Sequence, residues 1–244
     1  MSYLSILVAW VVLSRILPAQ LLPGPLATFT FIGQEYHRGS LLLNLWATGR
    51  RVLIAFGIGM GLGVAVGAAM GLSRQLDRLL EGWLVAGLTV PRIVLFVVAY
   101  LLLGLSDAAA IGALVITIAP TVVVQLREGT RALDGKLLEM AKAFRRPRLE
   151  VWGRVILPQL MPYVVGTARA SLSLAWKMVV LAELLGRTDG VGYMISFYFQ
   201  MFNMKGVLAY GTVMMIVLGF IDLVLLGTWQ RRVFRWRRAA PGRE

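Results

Sequence analysis

The segment from Glu139 to Pro162 reads "EMAKAFRRPRLEVWGRVILPQLMP" and separates apolar stretches that are long enough to cross a membrane. Of the 244 residues, 58% are hydrophobic and only 15% are charged. A soluble domain is about 45–50% apolar and about 25% charged. Because the apolar excess lies in long blocks, the composition predicts an integral membrane protein with one membrane domain, residues 1–244.

A membrane helix needs about 20 predominantly apolar residues. The sequence therefore predicts an all-α fold with about six transmembrane helices, at residues 4–22, 52–72, 84–105, 108–126, 160–185 and 207–229. The first is the weakest, because Arg15 and Pro18 interrupt it. The N-terminus lacks a basic segment and a small-residue cleavage site, so we expect a retained span and not a signal peptide.

Basic residues are distributed unevenly between the loops. The loop after the second span, the segment 127–159 and the tail 230–244 hold 16 of the 25 lysines and arginines. The opposite loops hold five: Arg38, Arg50, Arg51, Arg187 and Lys205. The positive-inside rule then predicts that this multi-pass protein has a cytoplasmic C-terminus. The rule also accounts for the net charge of +13, so the expected partner is membrane lipid and not nucleic acid.

Several kinds of chemistry are excluded by residue counts. The chain has no cysteine and a single histidine, His37, so a cysteine-based zinc site, a multi-histidine metal site and a histidine-based triad are all absent. The sequence also has no Gly-x-x-x-x-Gly-Lys-Ser/Thr phosphate loop. We therefore expect no catalytic residue, no bound metal and no cofactor in this chain.

The second predicted span contains "GIGMGLGVAVGAAMG", residues 57–71. Its glycines Gly59, Gly63, Gly67 and Gly71 recur every four residues and share one helix face. Small residues at this spacing allow two membrane helices to approach closely. A dinucleotide site would need a preceding strand and a βαβ unit, neither of which is visible, so the pattern favours helix packing.

The charged segment 127–159 is longer than a connection between two spans requires. Asp134 is a plausible helix N-cap, and the apolar residues Leu137, Leu138, Ala141 and Phe144 form a narrow stripe at helical spacing. Pro147 should end that helix, and a second short helix is predicted at residues 149–156. Two interpretations remain open from periodicity: a solvated linker, or a helix that docks into a groove of a soluble partner.

The segment resembles the EAA loop of ABC-transporter permeases of the binding-protein-dependent importer type. Glu139, Ala141, Leu157 and Pro158 match the family pattern, with nineteen residues from the glutamate to the proline. Met140 replaces the first alanine, and Arg145 stands where the family has glycine. The loop is therefore a diverged member of this pattern.

The following stretch, "ARASLSLAWKMVVLAELLGRTDGVGYMI", is similar to the subgroup of permeases for sulfonates, taurine and nitrate. The corresponding residues are Trp176, Glu183, Gly190, Gly192 and Ile195. The proline-rich run that this family carries in the third span is reduced to Pro91. The resemblance is strong from residue 128 onward and weak around the third span.

The resemblance implies a five-helix type I importer core, an additional N-terminal helix and a cytoplasmic coupling helix. It implies these partners: a cytoplasmic ABC ATPase dimer that binds ATP and Mg²⁺, a second permease chain, and a periplasmic or lipid-anchored solute-binding protein. The divergence favours a heterodimer of permeases over a homodimer. The ATPase-coupling residues would be Leu137, Leu138, Glu139, Ala141, Lys142, Phe144, Arg145, Arg146 and Arg148. Alternatives are a noncatalytic membrane scaffold and an ion-coupled secondary transporter.

Charged side chains within spans are costly and usually face a cavity or a partner. We therefore take Arg92, Trp176, Lys177 and Glu183 as candidate residues for translocation and solute binding, and the two basic residues favour an anionic solute. The alternatives are structural. Arg92 could snorkel or pair with Asp222, and Lys177 could pair with an acid on another span. Trp176 could pack in the core, and Glu183 could join neighbouring helices. Arg187 and Asp189 are expected in a solvated turn on the outer side.

Overall fold

The computed structural model of the protein describes residues 2–221, which are helical without any strand. The helices are α1 (Ser2–Ile16), α2 (Pro25–His37), α3 (Ser40–Leu72), α4 (Arg74–Thr89), α5 (Arg92–Leu103), α6 (Asp107–Arg131), α7 (Gly135–Ala143), α8 (Arg148–Val151), α9 (Leu157–Gly186), α10 (Val191–Gln200) and α11 (Met204–Phe220). A π-helical turn, Trp152–Ile156, joins α8 to α9.

Three helices in this part of the chain are long and apolar enough to cross a membrane: α3, α6 and the continuous helix Leu149–Gly186. A fourth crossing is formed if α4 and α5, which meet at an angle of 97°, make one broken span. Two shorter apolar helices, Ser5–Ile16 and α11, lie at the positions of the first and last predicted spans. The all-α membrane fold predicted from the sequence is confirmed.

The boundaries differ from the prediction where proline intervenes. The first span ends at Ile16, and a separate helix, α2, begins at Pro25. The third span is broken before Pro91, because proline confines the preceding residue to extended backbone and Val90 adopts φ −62° and ψ 128°. The last span can be followed only to Ile221, and the predicted tail 230–244 lies outside the described residues.

The predicted break before the fifth span is wrong. A short helix at residues 149–156 should have ended at Leu157-Pro158, but the chain continues through the π-helical turn into α9. Pro158 cannot donate a backbone hydrogen bond, and its ring would crowd the carbonyl one turn earlier in an α-helix. The wider turn provides space, since the Leu157 N–H bonds to the carbonyl of Trp152, five residues back.

The glycine face of α3 lies directly against α6. A Cβ atom added to Gly63 would come within 2.5 Å of Val122, and one added to Gly67 within 2.6 Å of the carbonyl oxygen of Val123. Gly59 and Gly71 meet the same helix at Ile118 and Thr130. This close approach of two backbones forms the axis of the fold, around which α5 and α9 also pack.

Candidate functional site

The segment between the fourth and fifth predicted spans presents an apolar edge to the outside of the molecule. Its helix α7 begins at the predicted N-cap, where the Asp134 carboxylate accepts from the backbone N–H of Lys136 at 2.8 Å. Ala141 is buried against the rest of the chain, whereas Leu137 is 38% and Phe144 is 70% exposed. The two ends of the predicted stripe therefore remain free to contact another protein.

The remaining residues predicted to take part in coupling lie in α7, in the turn after it and at the start of α8. Glu139, Lys142, Arg145 and Arg146 are exposed, Leu138 is half-buried, and Arg148 begins α8. A groove of about 310 Å³ runs between α7 and the start of the following helix, and Met140 and Phe144 line one of its walls. Glu150 lines the groove as well and pairs with Arg154 at 2.9 Å and with Arg146 at 3.5 Å.

Helix α7 ends in a turn that normally requires glycine. The Arg146 N–H bonds to the carbonyl of Ala141 and the Arg145 N–H to that of Lys142, which is the hydrogen-bond pattern of a Schellman motif. In this motif the residue after the C-cap adopts left-handed backbone, and Arg145 has φ 49°. The glycine of the family pattern is absent from this sequence, but its backbone conformation is present.

A second polar site lies at the opposite end of the long helices and is centred on Arg51. The guanidinium of Arg51 is fully buried and donates to Asp107 Oδ1 at 2.7 Å, to Glu183 Oε1 at 2.7 Å and to Asp189 Oδ1. Arg187 adds ion pairs with Asp107 at 3.2 Å and with Asp189 at 3.4 Å. We call these five residues the Arg51 cluster; it joins α3, α6, α9 and the connection to α10.

The Glu183 carboxylate has further donors that fix its position. The Thr48 hydroxyl lies 2.9 Å and 2.8 Å from its two oxygens, and the Gly192 N–H donates at 2.9 Å. Gly190 has φ 108°, and a Cβ atom there would overlap this carboxylate. The spacing of Gly190 and Gly192 is therefore explained by the need to bring the backbone against Glu183.

Two expectations about this region are corrected. Arg51 was predicted in an outer loop, but α3 begins at Ser40, so Arg51 lies more than two turns inside a helix. Arg187 was expected in a solvated turn, but its side chain is only 13% exposed. Both oxygens of Glu183 accept hydrogen bonds within the protein, which is the arrangement expected if Glu183 joins neighbouring helices; its contact with a solute stays a prediction.

The other candidate residues do not form one site. Trp176 is buried and packs against Gly49 of α3, whereas Lys177 is exposed on α9. Arg92 is exposed at the first position of α5, where the broken span bends. Its suggested partner, Asp222, lies outside the described residues. Within residues 2–221, no group of three or more His, Asp or Glu side chains could hold a metal ion.

The model of a protein family described as "Binding-protein-dependent transport system inner membrane component" matches residues 57–235, well over half of the chain. The chain belongs to this family, which confirms the resemblance seen in the EAA-like segment. It is a multi-pass inner-membrane permease subunit of an ABC importer, a class that works with an ATPase and a solute-binding protein.

Individual relatives agree with this assignment. A protein of Escherichia coli named as an aliphatic sulfonates transport permease, SsuC, is 28% identical over 236 residues, which cover 96% of this chain and 89% of the relative. A protein of Bacillus subtilis with the same designation is 29% identical over 154 residues, covering 63% of this chain and 55% of the relative. The nitrate import permease NrtB of Synechococcus elongatus is 25% identical over 61% of this chain and 51% of its own.

Solved structures agree in fold. A chain from the inward-facing MetNI methionine ABC transporter superposes with a TM-score of 0.71 at 19% identity, covering 82% of this chain and 98% of that one. A chain from an amino acid ABC transporter crystallised with histidines gives a TM-score of 0.68 at 16% identity, covering 83% and 98%. At these identities the likeness establishes the shared fold.

Proposed function

We propose that this chain forms the membrane pathway of an ATP-driven importer and is coupled to a separate ATPase through α7 and the groove beside it. The observation that carries the proposal is the exposed apolar edge of α7, held in place by its N-cap and by the turn at Arg145. A helix with an apolar edge and a basic rim is suited to a groove on a soluble partner. Closure of an ATPase dimer would move α7 and, through the continuous helix, α9.

The solute of the importer is proposed to be a small, polar, anionic organic molecule. Two arguments support this: the exposed basic residues Arg92 and Lys177 on membrane helices, and the sulfonates, taurine and nitrate in the names of the relatives. A periplasmic or lipid-anchored binding protein would deliver the solute. Ligand-induced thermal shifts of the cognate binding protein, measured across sulfonates, nitrate, pyrimidines and aromatic acids, would identify the class; a response to pyrimidines alone would contradict it.

The coupling proposal is tested with two variants of the α7 surface. Glu139→Lys and Phe144→Ala should each leave membrane insertion intact, because both side chains are exposed. Both should reduce ATP hydrolysis that depends on the binding protein, and transport with it, when the complex is reconstituted in liposomes. ATP and Mg²⁺ are expected in the partner ATPase and not in this chain.

The matched control for Phe144→Ala is Leu79→Ala on α4. Leu79 is likewise 70% exposed, so its truncation removes a similar amount of exposed apolar surface at a different place. Coupling should be normal in Leu79→Ala. Normal coupling in both Glu139→Lys and Phe144→Ala would refute the docking role of α7 and favour a scaffold, and transport that persists without an ATPase would favour an ion-coupled transporter.

We further propose a heterodimer with a second permease, because the sequence departs from the family at Arg145 and in the third span. The C-terminus is proposed to lie in the cytoplasm, from the distribution of basic residues. Blue-native electrophoresis of the complex expressed from its operon should show two different permease chains. A stable transporting complex in which this chain is the sole permease would contradict the heterodimer.

A further inference from the structure

One face of α9 carries a lysine at membrane depth. Lys177 is exposed and lies nine residues before the end of α9 at Gly186, about 14 Å along the helix axis. A charged side chain in contact with lipid at such depth costs about 2.5–3.5 kcal/mol on insertion scales. The cost is avoided when the face meets water or another protein.

Lys177 is poorly placed to reach the nearer membrane surface. Side chains on a helix lean toward its N-terminus, so Lys177 leans toward Leu157 and away from the nearer end at Gly186. The nearest acid on the same helix, Glu183, is six residues away and is held by Arg51 at 2.7 Å. The position therefore favours a hydrated surface over escape of the ammonium group to the lipid headgroups.

A polar groove lies on the same side of α9, nearer its start. The groove has a volume of about 270 Å³, and its polar lining consists of Thr121 and Gln125 from α6 with Tyr163 and Thr167 from α9. The ring of Tyr163 lies over Gly129, where an added Cβ atom would come within 2.6 Å of it. The lining offers hydroxyl and amide donors and contains no acidic side chain.

The groove and the lysine lie on one continuous helix face. Tyr163, Ala170 and Lys177 are spaced by seven residues, so they stay within about 40° of one another around α9. Ala170 itself lines the groove. The face from Tyr163 to Lys177 thus extends about 21 Å, with a cation at one end and uncharged donors at the other.

We propose that this face of α9, with Thr121 and Gln125 of α6, is the wall of a hydrated path for a small oxyanion, and that Lys177 sets its preference for negative charge. An ammonium group followed by hydroxyl and amide donors can bind an anion in successive steps without trapping it in one tight site. A cation would meet repulsion from Lys177 and find no carboxylate in the groove. This inference rests on the proposed import function and deepens it.

The chain has no cysteine, so single cysteines can be introduced without altering the background. Lys177→Cys, Ala170→Cys and Gln125→Cys would be made in the full-length chain, held in lipid nanodiscs with the partners that co-purify. Each variant is treated with the anionic 2-sulfonatoethyl methanethiosulfonate and the cationic 2-(trimethylammonium)ethyl methanethiosulfonate. Leu62→Cys is the control, because Leu62 is 51% exposed and lies ten residues before the end of the apolar span α3, a depth similar to that of Lys177.

All three path positions should react with the water-soluble reagents, and Leu62→Cys should not. At Ala170→Cys, about 10 Å along the axis from Lys177, the anionic reagent should be favoured. Replacing Lys177 by glutamine in that background should reduce the ratio of anionic to cationic rates roughly fivefold. Protection of all three positions, or an unchanged ratio in Lys177→Gln, would overturn the inference. Because labelling needs no ATP hydrolysis, these results are independent of the coupling test at α7.

Discussion

At one end of the long helices, the Arg51 cluster buries the charges of Arg51 and Glu183 and keeps Asp107 and Asp189 partly exposed at its rim, whereas the segment around α7 leaves both charge and apolar surface exposed. The guanidinium of Arg51 is inaccessible to solvent, but Phe144 is 70% exposed. The buried pair of Arg51 and Glu183 holds α3 and α9 in one arrangement, because removing either side chain leaves the other charge without solvation. An exposed edge contributes little to the fold and remains available for a partner. The fold is therefore fixed at one end and open to association at the other.

The largest loss of stability is expected from substitutions that disrupt the Arg51 cluster. Arg51→Met leaves Glu183 buried without its cation, and removing one partner of a buried pair costs about 3–5 kcal/mol. Arg50→Met is the matched control, because Arg50 pairs with the same Asp107 but has a side chain that is 47% exposed; exposed pairs contribute about 0–1 kcal/mol. Thermal unfolding in detergent should separate the two variants clearly.

A second variant keeps this prediction testable if Arg51→Met does not accumulate. In the double variant Arg51→Met/Glu183→Met, no unpaired charge remains at the most buried contact, so part of the lost stability should return. Equal melting temperatures for Arg51→Met and Arg50→Met would show that the cluster does not hold the helices together.

The two regions differ in how far the sequence predicts them. The sequence shows that a polar helix lies between two spans, and it shows the apolar residues that α7 exposes, because local spacing carries this information. The Arg51 cluster depends on contacts between residues more than 130 positions apart, such as Arg51 and Glu183. Arg50 and Arg51 resemble the basic flank of a span, and only the extension of α3 back to Ser40 makes Arg51 internal.

Helix α2 and the turn at Arg145 are further features that local spacing in the sequence does not predict. Helix α2 contains polar residues such as Gln34 and Glu35, and it is too short to be recognised as a span in the sequence. Glu35 is nevertheless buried, and its carboxylate accepts hydrogen bonds from Ser40 at 2.6 Å and from Tyr210 at 3.0 Å. The family glycine position could be aligned with Arg145, but no local signal indicates that an arginine would adopt positive φ. The glycine face of α3, in contrast, is visible in the sequence as a strict period of four.

The contact between α3 and α6 connects the two regions, and a matched pair of substitutions tests it. Gly67→Val places a side chain against the Val123 carbonyl, 2.6 Å from the new Cβ, and against Leu126. Gly61→Val on the same helix meets nothing within 4 Å, so it carries the same change in helix propensity without the clash. Overpacking of this kind costs about 1–3 kcal/mol.

The melting temperature of Gly67→Val should therefore be well below that of Gly61→Val in the same detergent. The difference in melting temperature between the two variants reports on the contact between α3 and α6, because both variants carry the same change in helix propensity. Similar melting temperatures would mean that α3 and α6 can separate without loss of stability. The contact between these helices would then not connect the Arg51 cluster rigidly to α7.

The smallest effect is expected at the exposed end, where Arg145→Gly should stabilise the turn after α7. A left-handed conformation costs an L-residue about 1–2 kcal/mol, and glycine removes that cost while increasing the entropy of the unfolded chain. The net gain should be a few tenths to about 1 kcal/mol. Arg145→Ala removes the same guanidinium but keeps the backbone strain, so it should give no such gain. Hydrogen–deuterium exchange of the backbone amides at the end of α7 measures the change locally, and equal protection in Arg145→Gly and Arg145→Ala would show that the positive φ of Arg145 is not strained.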